Sequence, residues 1–539
     1  MPEVPEVPEP RLTGRPRRWP PALSRLPAWT RLQRPPRLPA WTRPQRPPGT
    51  ARVTAAAAVL GLLVAGTAAA LAGPFDSSGQ RVAEARRAGA AASGAGAAPA
   101  PGAPRGEDSP RLTSAGLPAP APSAAAVLTT LGSATRVPAR GSLSRRLDPL
   151  LDKPALGERP VASVVDVASG TVLYDAHAGT ARTPASVTKL ATAVAALDTL
   201  GADHRIETRV VGAEDGGSGG DGKGARKGRL TLVGGGDPTL TARARPDGFA
   251  SLRELAARTA RALKKDGAAR SYIVDYDVSL YSGPRLHPIG PNENIAPVTP
   301  LMADEGRLDD SRSGPAARST RPDKDAAERF RDLLRERGVK VGDEVGQHRA
   351  PTGARTLASV SSAPLSALVE RMLTYSDNDI AEGLARQTAL AAHEPASFDG
   401  GGKATRARLG KLGLPLDGAR FADGSGLDRA DRLSPALLTG LLAHAGDKDR
   451  PALRPVLSGL PVAGFTGTLA TRYNEHTNAA GTGMVRAKTG TLTGVNTLAG
   501  TVVTRSGRLL AFAYMTQDAP SPLEAQAALD RMAAALTDT

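Results

Sequence analysis

The sequence predicts an α+β head over residues 140–539 behind an N-terminal region that does not form a core, and three observations predict it. First, short alternating apolar runs punctuated by turns occur at both ends of the head: Val161–Tyr174 turns on Ser169-Gly170, and Thr497–Thr504 and Leu509–Thr516 turn on Arg505-Ser-Gly-Arg508. Second, helical periodicity recurs between them. Third, composition changes abruptly near residue 140. All three tryptophans (Trp19, Trp29, Trp41) precede it, so the head must build its core from Ala, Leu and Val. The chain has no cysteine, which excludes a disulfide scaffold, thiol catalysis and cysteine-ligated zinc and suits an exported protein.

Residues 1–52 are Pro- and Arg-rich and too poor in apolar residues to fold. Arg25-Leu-Pro-Ala-Trp-Thr-Arg-Leu-Gln-Arg-Pro-Pro36 is repeated, with one change, over Arg37–Pro48. Two readings stand: a basic, Trp-anchored tether for anionic headgroups, or a disordered tail. Eleven arginines against Glu3, Glu6 and Glu9 put about half of the net charge of +16 here. The rest is spread as mixed charge without a basic stripe, so no nucleic-acid partner is expected.

Residues 53–73 are uncharged and long enough to cross a bilayer as a signal anchor. The upstream arginines orient the N-terminus to the cytoplasm and the head to the outside. A cleaved signal peptide is the alternative, with small-residue sites at Ala68-Ala69-Ala70 and Ala70-Leu71-Ala72, and would release the head as a secreted protein. The long leader favours the anchor. Residues 74–139, rich in Ala, Gly, Pro and Ser, read as a flexible linker.

In the head, Pro184 marks the entry to an Ala-rich helix over 186–200. Strand-like Arg205–Ala213 and Arg229–Val233 flank a glycine-rich loop at 214–228, which lacks G-K-[ST] and so is no phosphate cradle. A Gly234-Gly-Gly-Asp-Pro238 turn, a helix at 249–265 and a strand at Tyr272–Leu280 follow. Residues 303–322 are irregular, and Asp323–Arg337 reads as a helix closed by Gly338. Helices are expected at Pro364–Leu373, Asp379–Ala391, 434–445 and 521–536.

Three short elements bear chemistry: Ser186-x-x-Lys189 at a helix start, Ser376-Asp377-Asn378 at a helix–helix turn, and Lys488-Thr489-Gly490 on a strand. Serine and lysine three apart share one helix face. A serine hydroxyl is a poor nucleophile until a base takes its proton. Lys189 can do so only as a neutral amine, which needs burial and a second cation nearby. Lys488 would be that cation and would hold a substrate carboxylate. Ser376 can relay a proton to the leaving amine, and Asn378 can donate to a substrate amide carbonyl. Gly490 would keep the strand clear for an extended substrate, with Thr489 and Thr491 beside it. The backbone N–H groups of Ser186 and Thr491 are the oxyanion donors, each contributing roughly 3–4 kcal/mol in comparable sites. Asp377 reads as a turn residue.

In these motifs the chain resembles the PBP4-like class C low-molecular-mass penicillin-binding proteins, the D-alanyl-D-alanine carboxypeptidases/endopeptidases of peptidase family S13. Further matching stretches are Gly234-Gly-Gly-Asp-Pro-Thr-Leu240, Met372–Glu382, Asp423-Gly-Ser-Gly-Leu427, Leu460–Gly464, Gly467-Thr-Leu469 and Ala487–Val495. The resemblance implies a serine penicillin-recognising fold, an antiparallel sheet flanked by helices. It implies a transpeptidase-like domain in two parts, 140–205 and 355–539, around an inserted region at 206–354. It also implies a serine-type D-Ala-D-Ala carboxypeptidase, with D,D-endopeptidase activity as a second capacity. Such an enzyme acts on peptidoglycan stem peptides through an acyl-enzyme and is acylated by β-lactam antibiotics. Arg429 is then a candidate for binding a stem-peptide carboxylate. Near Leu286–Leu301 that family carries a tryptophan and a tyrosine, where this sequence has Ile289 and Ile295. The alternatives are a β-lactamase, disfavoured by the long insertion, and a catalytically silent wall-binding protein, disfavoured by the intact motifs. No cofactor is expected. The seven histidines include no close pair, so no metal site is expected either.

Overall fold

The structure is a computed structural model that describes residues 140–214, 227–265 and 271–539. The basic tail, the anchor at 53–73 and the 74–139 linker lie outside the described residues, as do residues 215–226 of the glycine-rich loop. Among the described residues no helix is long and apolar enough to cross a membrane.

Two sheets carry the head. The first is built from β1 (Val161–Asp166), β2 (Val172–Ala176), β8 (Val485–Leu492), β9 (Val495–Val503) and β10 (Leu509–Thr516), in the order β2-β1-β10-β9-β8. Every pairing is antiparallel, and β8 is one of the two outer strands. Side chains alternate across it as a pleated sheet requires. Leu510, Phe512 and Tyr514 face a core shared with helix α1 (Arg140–Leu151) and the C-terminal helix α9 (Pro522–Ala535). Ala511, Ala513 and Met515 face the opposite core. There lie α2 (Thr188–Leu200), α5 (Leu365–Tyr375), α6 (Asn378–Ala391), α7 (Phe398–Lys411) and α8 (Pro435–Gly446). The mixed α+β fold with helices on both faces of an antiparallel sheet is as the resemblance implied.

Helix α2 is central to that second core. Thr188 through Leu197 are all buried, so the helix is surrounded on every side and has no polar stripe. Its alanines let neighbouring helices approach closely.

The inserted region forms a second sheet, β6-β5-β4-β3-β7. Its strands are β3 (Glu207–Glu214), β4 (Lys227–Val233), β5 (Ser271–Asp277), β6 (Val341–Gln347) and β7 (Arg355–Ser361). β4, β5 and β6 run parallel and the other pairs antiparallel. The parallel pairs follow from crossover helices: α3 (Leu252–Lys265) links β4 to β5, and α4 (Pro322–Arg335) links β5 to β6. Both helices cover one face through Leu255, Leu263, Phe330 and Leu334. The last strand of this sheet, β7, lies beyond residue 354 and pairs with β3, so the inserted sheet closes at Ser361. Neither β6 nor β7 was expected from the sequence. β6 reads Val-Gly-Asp-Glu-Val-Gly-Gln, with two glycines and two acids that argue against a strand, and only its parallel neighbour selects it. Helix α7 was also unexpected, because Gly400-Gly-Gly402 opens it. Those glycines are required: a Cβ at Gly402 would strike the Phe421 backbone carbonyl and one at Gly400 that of Pro395.

Candidate active site

Ser186 sits in a 3₁₀ turn (Ala185–Val187) that runs into α2, so Lys189 lies one turn further along the same face. The turn is set by Ala185, a non-glycine residue at φ 51°. Such left-handed backbone costs of order 1–3 kcal/mol and persists only where neighbours hold it. Two contacts hold it. Thr497 Oγ1 donates to Pro184 O at 2.8 Å, and the turn at Gly426 packs against the Ala185 carbonyl.

Ser376 ends α5 in the left-handed region (φ 59°), with its N–H on Met372 O. Asp377 then caps α6 by accepting from the Ile380 N–H at 3.0 Å, the turn role expected for it. This tight junction points Ser376 and Asn378 to the same side as Lys189. Lys488 reaches in from β8.

The three sequence elements converge. Lys189 Nζ lies 3.0 Å from Ser186 Oγ, and it donates to Asn378 Oδ1 and to the Ser425 carbonyl, each at 2.6 Å. Lys488 Nζ donates to Ser376 Oγ at 2.8 Å and to Thr489 O at 2.7 Å. Both lysines are fully buried. Burial pulls Lys189 down to about 8, against the opposing pull of Asp423, Asp377, Glu382 and Asp431. Lys488 is held well below the usual lysine range by burial and by the charge of Lys189. The expectation that burial and a second cation together lower Lys189 thus needs amending: burial is what lowers Lys189, and the repulsion between the two lysines falls on Lys488.

Gly490 has a packing reason beside the one expected. A Cβ there would lie 2.7 Å from Pro184 O and 3.1 Å from the Ala185 side chain. The glycine lets β8 close onto the serine turn, which brings Lys488 within reach. Thr489 is partly buried, its hydroxyl bonded to Thr468 Oγ1 at 2.9 Å, while Thr491 is exposed. Asn378 Nδ2 donates to Asn294 O at 2.9 Å, so one of its two amide hydrogens is already engaged. Next to Asn294, Ile295 is buried and Ile289 is 45 % exposed. Arg429 is exposed and donates to Thr493 O at 2.8 Å, two residues beyond Thr491.

Sequence reasoning missed the layer beneath. The structure joins His287, Glu382 and Asp423 in one buried cluster, although 136 positions separate His287 from Asp423. Burial would raise Asp423, but hydrogen bonds from His287 and from the Gly426 and Asp428 N–H groups outweigh it and hold the carboxyl at about 2. Glu382 is raised by burial and by the Asp423 charge. The available signal was the Asp423-Gly-Ser-Gly turn, and Glu382 one helical turn after Asn378. The second buried acidic group, Glu305, Asp377 and Asp379, is engaged with Arg307, Arg318 and the Ile380 N–H.

A serine hydroxyl at a helix entry, a buried amine upon it and a second lysine on an outer strand, carried by this sheet, are the arrangement of the active-serine, penicillin-recognising class of acyl-transfer enzymes. The chain belongs to the D-Ala-D-Ala carboxypeptidase 3 (S13) family, whose pattern matches residues 143–313 and 310–536. It is 35 % identical to a carboxypeptidase of Mycobacterium tuberculosis over 419 residues, 75 % of this chain and 87 % of that one. It is 30 % identical over 471 residues to the D-alanyl-D-alanine carboxypeptidase of an Actinomadura species, covering 72 % of this chain and 83 % of the relative. Among solved structures, penicillin-binding protein 4 of Haemophilus influenzae superimposes with a TM-score of 0.58 at 22 % identity, covering 75 % of this chain and all of that one.

Proposed function

We propose that this chain is a serine-type D-Ala-D-Ala carboxypeptidase in which Ser186 is the nucleophile and Lys189 its base. The observation that carries this reading is the set of partners around Lys189 Nζ: two obligate acceptors and one hydroxyl. Asn378 Oδ1 and Ser425 O can only accept, so they take two N–H bonds. The remaining valence of a neutral amine is a lone pair, and it faces Ser186.

Ser186 Oγ attacks the carbonyl of the penultimate D-alanine while its proton passes to Lys189. The oxyanion lies between the N–H groups of Ser186 and Thr491. Collapse expels the terminal D-alanine, whose amine takes the proton that Lys189 received from Ser186, relayed through the Ser376 hydroxyl held by Lys488, so that Lys189 is neutral again. Lys488, with Thr489 and Thr491 on β8, receives the substrate's terminal carboxylate, and Gly490 keeps that strand against Ser186. Lys189 then deprotonates a water that hydrolyses the acyl-enzyme. A β-lactam enters by the same first step. A Haemophilus influenzae relative of this fold has been solved with one bound, which supports that reading. Opening of peptide cross-links is the same reaction on a longer leaving amine.

The setting belongs to the same proposal. Residues 53–73 anchor the chain with the head outside the cell, residues 74–139 let it reach the wall, and 140–205 with 355–539 form the catalytic domain around the insert. The test is to incubate the purified chain with a stem pentapeptide and with a cross-linked muropeptide and weigh the products. Loss of one alanine from the pentapeptide is expected. No release from either substrate defeats the reading.

A further inference from the structure

The carbonyl that fixes Lys189 belongs to Ser425, in the buried Asp423-Gly-Ser-Gly turn. Its shape comes from two buried carboxylates. Glu382 Oε1 accepts the N–H groups of Gly424 and Ser425, both at 2.9 Å. Asp423 Oδ1 accepts those of Ser425 at 3.0 Å and Gly426 at 2.6 Å, while Oδ2 accepts the Ser425 hydroxyl at 3.0 Å and the Asp428 N–H at 2.8 Å.

Glu382 is in turn held from its own helix and Asp423 from a distant part of the chain. Arg386 Nη1 donates to Glu382 Oε2 at 3.0 Å, with its guanidinium packed 4.2 Å from the Phe398 ring centre. His287, on the inserted segment, bonds Asp423 Oδ2 through Nε2 at 2.9 Å. Its Nδ1 receives the Ile289 N–H at 3.2 Å, and a backbone N–H can only donate. Nδ1 is therefore unprotonated and the proton sits on Nε2, which donates to Asp423. His287, Glu382, Arg386, Asp423 and Ser425 are all buried.

We propose that Glu382, Asp423 and His287 are positioning residues for serine activation: they lock the Ser425 carbonyl, and that carbonyl keeps the Lys189 amine aimed at Ser186. The inserted region thereby supplies, through His287, a part of the apparatus that orients the base. This rests on Lys189 being the base for Ser186. A displaced carbonyl would free the amine to turn its lone pair away from the hydroxyl, and misplacement of about an ångström costs on the order of 10²-fold in rate. The charged groups around Lys189 are Asp377, Glu382, Asp423, Asp431 and Lys488.

The test measures the second-order rate of acylation by fluorescent penicillin from pH 6 to 10, on the full chain, with melting followed in parallel. Glu382→Gln keeps an acceptor oxygen but removes a charge that favours the Lys189 ammonium. The rising limb should therefore move to lower pH while the plateau falls. His287→Ala should lower the plateau roughly 10- to 100-fold, and His287→Gln, which retains an N–H donor, should recover part of it. If the alanine variant does not fold, Glu382→Gln, nearly isosteric, decides alone. Folded variants with the wild-type plateau and the wild-type limb overturn the proposal. So does a loss in His287→Ala that His287→Gln reproduces in full. A wild-type chain that penicillin does not acylate overturns instead the reading on which it rests.

Discussion

Lys189 Nζ donates to Asn378 Oδ1 at 2.6 Å across 189 positions of sequence, so the side chain that completes the second motif also decides how the first motif's amine is turned. The contact is between a neutral amide and a buried amine. A carboxylate in place of the amide would favour the ammonium. Asn378→Asp should therefore raise the Lys189 pKa and slow acylation at neutral pH. The loss should shrink as the pH rises. Stopped-flow labelling of the two proteins at pH 7 and pH 10 checks this; an equal loss at both would point to steric damage.

The wild-type profile follows from the same amine. With Lys189 lowered to about 8 by burial, the base is the neutral form, populated above that value. Acylation should rise with pH through about 8 and then level. At pH 7 roughly a tenth of the molecules should carry the neutral amine, against fewer than one in a thousand for an ordinary lysine. A rate independent of pH between 6 and 9 would mean that some other group takes the proton.

Gly490→Ala tests the closure of β8 onto the serine turn. The new Cβ would stand 2.7 Å from a backbone oxygen, Pro184 O, which cannot swing aside as a side chain would. The strand must retreat, at a cost of about 1–3 kcal/mol in stability. Lys488 retreats with it, so D-alanine release should fall by more than the unfolded fraction explains. Chemical denaturation beside a product assay separates the two effects.

The chemistry was more legible in the sequence than the fold around it. Ser186, Lys189, Ser376, Asn378 and Lys488 could be picked out because each sits at a local signal, a helix entry, a turn or a strand. Their convergence is what the structure adds. Strands β6 and β7 and helix α7 were illegible because their selection is tertiary: parallel pairing for β6, and close backbone packing for the glycines of α7. The cluster under Lys189 was illegible for a related reason. His287 carries no local pattern, and only the fold brings it to Asp423.

Lys488 has two bonds inside the protein, to Ser376 Oγ and to the Thr489 carbonyl, so it positions a hydroxyl besides the role proposed for it at the substrate. Lys488→Gln would leave Ser376 a neutral neighbour and remove the cation proposed to meet the terminal carboxylate. The expected result is a higher KM for pentapeptide together with a lower kcat. A variant that carries only a raised KM would limit Lys488 to binding.

Arg429 allows the sharpest separation of substrate preference from chemistry. Its side chain is exposed and donates to Thr493 O. Removing it should leave stability within about 0.5 kcal/mol of wild type, as for other solvent-facing changes. Penicillin, which carries no stem-peptide side chain, should acylate Arg429→Ala at the normal rate. A pentapeptide whose third residue bears a free carboxylate should lose D-alanine more slowly than before, through KM, while one that ends in an uncharged side chain should be unaffected. Equal rates on both peptides would remove Arg429 from the binding surface and leave it as a clasp on the loop after β8.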